Sequence, residues 1–143
     1  MKILIIFTLL ISFLSINFKN VYSSEKNYFD EAVSFFKKKN FKKAKFKFEQ
    51  DIVFNPKNEL SYLYLSKIFK NLNKIDLQEQ NLKTVLLLNP KNEEAIFLLA
   101  LLKIKKSDFG EAEKLTKTFK KICKTTCGKE AELENKLKNS QLN

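Results

Sequence analysis

The sequence predicts an all-α protein: three stacked helix-turn-helix units in a short α-solenoid, closed by a C-terminal capping helix and preceded by an N-terminal signal segment. Three observations carry this expectation. The phrase Asn55-Pro56-Lys57-Asn58-Glu59 returns unchanged as Asn89-Pro90-Lys91-Asn92-Glu93, 34 positions later, and a fixed period of that length marks a repeat array. Phe41, Ala44, Phe48 and Ile52 fall on one face of a helix. No β-hairpin signal interrupts the pattern.

Met1 and Lys2 precede an apolar run, Ile3 to Ile16, broken only by Thr8, Ser12 and Ser15. A basic start, an apolar run of this length and a polar boundary are the parts of a secretory signal peptide. Val21 and Ser23 suit the cleavage site, which gives a signal peptide over 1–23 and a mature domain over 24–143. Loss of Lys2 and Lys19 would lower the formal charge from +11 to +9. The expected location is therefore exported, in a periplasm. The alternative is membrane anchoring by an uncleaved N-terminal helix, since Ile3 to Phe18 is nearly long enough to span a bilayer.

With the prolines as closing marks, the units run over 25–58, 59–92 and 93–126. In the first, Tyr28, Ala32, Phe35, Ala44, Phe48 and Pro56 carry the pattern. The second keeps Tyr62, Leu65, Ser66, Phe69, Leu82, Val85 and Pro90, with Gln78 where a small residue is expected. The third keeps Ile96, Leu99, Ala100 and Ala112, but has Lys103 and Thr116 at aromatic positions and Lys124 in place of the proline. This arrangement resembles the tetratricopeptide repeat, with two good copies and a degenerate last one. Each helix pair is too small to bury its own apolar face, so neighbours must stack.

Helix starts are marked by side chains that accept from free backbone amides. Asp76 with Glu79, and Asp108 with Glu111, have capping-box spacing; Asn40, Asn58 and Asn92 are further caps. After Gly128, Ala131, Leu133 and Leu137 predict a capping helix over 129–138 that covers the end of the array.

Composition excludes several chemistries. The chain has no His and only two Gly, so it offers no His-based catalytic pair, no imidazole metal ligand, no P-loop and no dinucleotide fingerprint. Neither cofactor nor metal is expected, and no carboxylate pair has a recognisable acid/base context. Nucleic acid is not an expected partner, because export separates the chain from it and no Arg is available for phosphate or base forks.

Cys123 and Cys127 are four apart, close enough to pair where Thr125 and Thr126 weaken the helix. In an oxidising compartment this is expected to be a structural disulfide that pins the turn into the capping helix. A redox centre would more typically show Cys-x-x-Cys, and a metal site would need further ligands.

The resemblance implies that the first helices line a concave, partner-binding wall. Carried over position by position, it places Phe29, Val33 and Phe36 on that wall from the first unit. The second unit supplies Leu63, Lys67, Lys70 and Asn71, and the third Phe97, Leu101 and Ile104. Such a groove suits a peptide with apolar anchors and some acidic residues. The family's carboxylate-clamp set is not reproduced. The implied function is a non-catalytic protein–protein adaptor or scaffold of the cell envelope, bound to another envelope protein or peptide segment, with self-association as a further use of the same apolar residues. A second reading rests on lysine: seven of the eleven residues from Lys37 to Lys47 are Lys, and Lys114, Lys117, Lys121 and Lys124 form a helical stripe. These faces suit peripheral contact with an anionic lipid or polysaccharide.

Overall fold

The computed structural model describes residues 27–142, so the expected signal peptide, 1–23, lies outside the described residues. Seven α-helices follow in order: α1 Tyr28–Lys37, α2 Phe41–Phe54, α3 Glu59–Asn71, α4 Ile75–Leu88, α5 Glu93–Lys105, α6 Phe109–Ile122 and, after a 3₁₀ turn at Cys127–Lys129, α7 Glu130–Gln141. Each first helix packs on its own second helix, each second helix packs on the next first helix, and α7 packs on both α5 and α6. Among the described residues no strand occurs, and no helix is long and apolar enough to cross a membrane.

The 34-residue period is visible in the backbone. Among the described residues Lys39, Asn73 and Ser107, each 34 apart, are the non-glycine residues with positive φ, at 57°, 54° and 58°. Each sits in the turn between the two helices of its pair. The next amide in every case reaches back to close the first helix: Asn40 to the Phe35 carbonyl, Lys74 to Phe69 and Asp108 to Lys103, all at 2.9 Å. These bonds satisfy carbonyls that the helix end would otherwise leave unpaired.

Caps follow the same register, with one departure. Asn40 accepts from the Lys43 amide and Asp108 from the Glu111 amide; Asn58 accepts from Leu60 and Asn92 from Ala95. The expected box of Asp76 and Glu79 does not form. Lys74 occupies that N-cap and makes no side-chain cap bond, because an ammonium has no acceptor to offer an amide, while Asp76 falls inside the first turn.

The apolar core runs in two main clusters. One joins Ala32, Ala44 and Phe48 to Leu65, Ile68 and Phe69. The other joins Leu82, Val85, Ile96, Leu99, Phe119 and Leu133. Leu65, Leu99 and Leu133 are 34 apart and all buried, so α7 occupies the register of a fourth first helix. Its Leu137 packs with Ile104 and Ala112. The helix extends to Gln141, past the expected 129–138, and supplies the cover that the open end of such a stack requires.

Candidate functional site

The face formed by α1, α3 and α5 holds the expected binding residues, and the structure divides them into three groups. Leu63, Phe97 and Ile104 are buried, at 4%, 7% and 8% exposure, which corrects their assignment as open wall. Phe97 packs on Phe119 with ring centroids 5.9 Å apart, and the Lys129 ammonium lies over the Phe97 ring at 4.9 Å. The capping segment therefore withdraws Phe97 from the surface.

Phe29, Val33 and Phe36 are half-buried and packed on the first core cluster. Phe29 and Phe36 both meet Tyr64, at 6.0 and 5.0 Å, and Tyr64 stacks on Phe48 at 5.0 Å. Lys67 lies over the Tyr64 ring and pairs with Glu94 at 2.8 Å, a bridge from α3 to α5 across the wall. Asn71 folds back on the Lys67 carbonyl at 2.8 Å. Aromatic packing has thus largely filled the N-terminal half of the expected groove.

What remains open is a cleft of about 320 Å³ where the α3–α4 turn meets α5 and α7. Leu98, Leu101 and Leu102, with the exposed edge of Ile104, line it; Lys70, Lys105 and Lys136 stand around it. Lys70 and Lys105 have no carboxylate partner among the described residues. Sequence reasoning found Lys70, Leu101 and Ile104 but missed Lys136, because α7 was read only as a cover.

The carboxylates nearby serve the scaffold. Glu79, 8% exposed, meets Lys106 at 2.7 Å, Lys83 at 2.8 Å and Lys103 at 3.0 Å. The Lys106 contact and then that of Lys83, with help from Lys103, hold its carboxyl at about 2 against the opposing effect of burial. Lys103 itself is 9% exposed and also reaches Asp108 at 2.9 Å; Asp108 first and Glu79 second push its ammonium up. The odd lysine at an aromatic position is therefore paired on both sides, as a buried charge requires.

Glu93 performs a second structural task. Its carboxylate accepts from the Thr126 hydroxyl at 2.6 Å, from the Lys124 amide at 2.9 Å and from the Thr125 and Thr126 amides at 3.4 and 3.2 Å. The Thr126 hydroxyl leads the causes that bring it down to about 2. Cys123 and Cys127 are joined across this loop, with Cα atoms 5.2 Å apart. Among the described residues no group of three or more His, Cys, Asp or Glu is placed to hold a metal ion.

No family model matches the sequence. No curated protein matches it either. Solved structures do resemble the fold. The Yersinia enterocolitica type III secretion chaperone SycD, in complex with a peptide of the translocator YopD, superposes with a TM-score of 0.72 at 16% identity, over 86% of this chain and 98% of that one. The TPR2B domain of yeast Sti1, in a structure with pHsp70, gives 0.70 at 12% identity over 82% and 95%. The second TPR domain of human RPAP3, in complex with an HSP70 peptide, gives 0.67 at 16% over 80% and 92%. The fold is that of tetratricopeptide-repeat domains.

Proposed function

We propose that the protein is a non-catalytic adaptor of the cell envelope that holds a segment of a partner protein against its first-helix wall. The observation that carries this reading is the open cleft beside α5, where half-buried Leu98 and Leu101 line a concave surface ringed by lysines. Concave, mostly apolar sites with a few polar groups are the usual form of a binding site. The similar domains of SycD, Sti1 and RPAP3 were solved with peptide or chaperone partners, which supports the same class of partner here. Export through the signal segment 1–23 is part of the proposal, and the Cys123–Cys127 bond suits an oxidising compartment.

A photo-reactive side chain at Lys70, and separately at Lys121 on α6, tests this in the native cell. A discrete protein adduct from position 70 alone supports the adaptor. Adducts only from position 121, or none from either, overturn it.

One observation favours peripheral binding to an anionic lipid or polysaccharide as the second reading. Phe46 is 59% exposed beside Lys42, which, like Lys38 and Lys39, has no carboxylate partner among the described residues. The α6 stripe is weaker support, because Lys114 pairs with Glu111 and Lys117 with Glu113. A charge-driven contact at either face weakens steeply with added salt, whereas a buried apolar contact does not.

A further inference from the structure

The cleft gathers lysines that lack the carboxylate partners found at Lys67 and Lys103. Lys67 is neutralised by Glu94 and Lys103 by Glu79 and Asp108. Around the cleft, Lys70 and Lys105 have no such partner among the described residues, and the one carboxylate near Lys136 is Glu132 at 3.9 Å, on its own helix. No Asp or Glu lines the cleft. A neighbouring surface hollow, lined by Lys83, Lys103, Asp108 and Glu111, contains both signs.

Three ammonium groups around an apolar floor attract an anion that also carries apolar surface. The floor excludes water on one side and so strengthens the attraction. A free phosphate would leave Leu98 and Leu101 uncovered, and a basic peptide would meet like charge. At about 320 Å³ the cleft lies at the small end of ligand sites, a size suited to a side chain with its neighbours rather than to a folded domain. Asn73 and Ser140 at its edge offer polar groups for a peptide backbone.

We infer that this cleft seats a short acidic–apolar peptide segment, with one leucine- or phenylalanine-sized side chain on the Leu98–Leu101–Ile104 floor and carboxylates within two residues of it on Lys70, Lys105 and Lys136. The inference rests on the peptide-binding reading above and specifies its chemistry. It also makes α7 part of the binding surface, since Lys136 belongs to the capping helix.

The test uses random 12-residue peptides displayed on phage and selected on the purified full chain. Enriched peptides are then synthesised and titrated by fluorescence anisotropy. Selected sequences are expected to carry Asp or Glu within two residues of Leu, Ile or Phe. Their affinity should fall on the order of tenfold in the Lys70→Gln/Lys105→Gln/Lys136→Gln variant and in Leu101→Gln, with unchanged circular dichroism, and hold in Lys42→Gln/Lys121→Gln. Enriched peptides that lack acidic residues, or that bind the cleft variants normally but lose affinity in Val33→Gln, overturn the cleft assignment and leave the adaptor reading standing. No enrichment, with binding only to phosphatidylglycerol vesicles or to laurate, overturns both.

Discussion

Glu93 and Thr126 stand 33 residues apart and are joined twice, through the threonine hydroxyl at 2.6 Å and its amide at 3.2 Å. Glu59, the same residue of the previous repeat, accepts from the Asn89 side chain at 2.6 Å. The glutamate that opens each of these repeats therefore braces the loop that closes the same repeat.

Glu93→Gln is expected to lower the melting temperature, because a neutral amide is a weaker acceptor for these donors. The disulfide holds the same loop, and its reduction alone is expected to cost about 2 kcal/mol. Thermal melts with and without dithiothreitol should show the two losses together exceeding their sum, since each restraint masks removal of the other.

Asp51 is 2% exposed and accepts from Ser61, Asn58 and Asn55. One repeat later the equivalents of Asp51 and Ser61 are Val85 and Ala95, both fully buried. Asp51→Val alone strands the Ser61 hydroxyl and is expected to cost about 1–3 kcal/mol. Asp51→Val/Ser61→Ala copies the apolar solution of the second repeat and should recover most of that loss in urea denaturation.

Acid stability should depend on Glu79. Its carboxyl sits at about 2 in the fold against an ordinary 4.5, so it binds fewer protons folded than unfolded. The stabilisation it provides is present above about pH 4.5 and lost as pH falls towards 2. Glu79→Gln should remove about 1–2 kcal/mol of that acid-side loss, less than the shift alone implies because water reaches part of the network. Lys103 and Lys106 are raised; their contribution is complete below 10.5 and is lost as pH rises through their higher folded values. Denaturation midpoints against pH check both limbs.

Ser107 holds φ 58° without being glycine. Ser107→Gly relieves the left-handed strain but adds freedom to the unfolded chain, for a net gain of up to about 1 kcal/mol. Ser107→Val should lose stability at the same site, and the pair of midpoints tests the assignment.

The fold was legible because period and physics agree: Pro56 and Pro90 mark the phase, and Ala44, Phe48, Leu82 and Val85 fill the core positions that this phase assigns. The binding wall was less legible. Wall positions follow from the repeat, but whether a wall residue stays open depends on side chains from outside its own repeat. Tyr64 draws in Phe29 and Phe36, and α7 with Lys129 covers Phe97 and all but one edge of Ile104. The 34-residue step from Leu99 to Leu133 was the available sign that α7 would sit as another first helix. Lys103 looked like decay of the repeat; the acids that pair with it lie 24 residues before it and five after, too scattered for local spacing to reveal.

Asn55 and Glu59 recur as Asn89 and Glu93, and a further step of 34 lands on Cys123 and Cys127. Where each earlier phrase leans on the loop one period further along the chain, the last one is tied to itself. During synthesis the chain emerges from its N-terminus, so Glu59 waits for Asn89 and Glu93 waits for Thr126. The final loop waits for no later residue, only for an oxidant, and the Glu59–Asn89 brace can form before that closure.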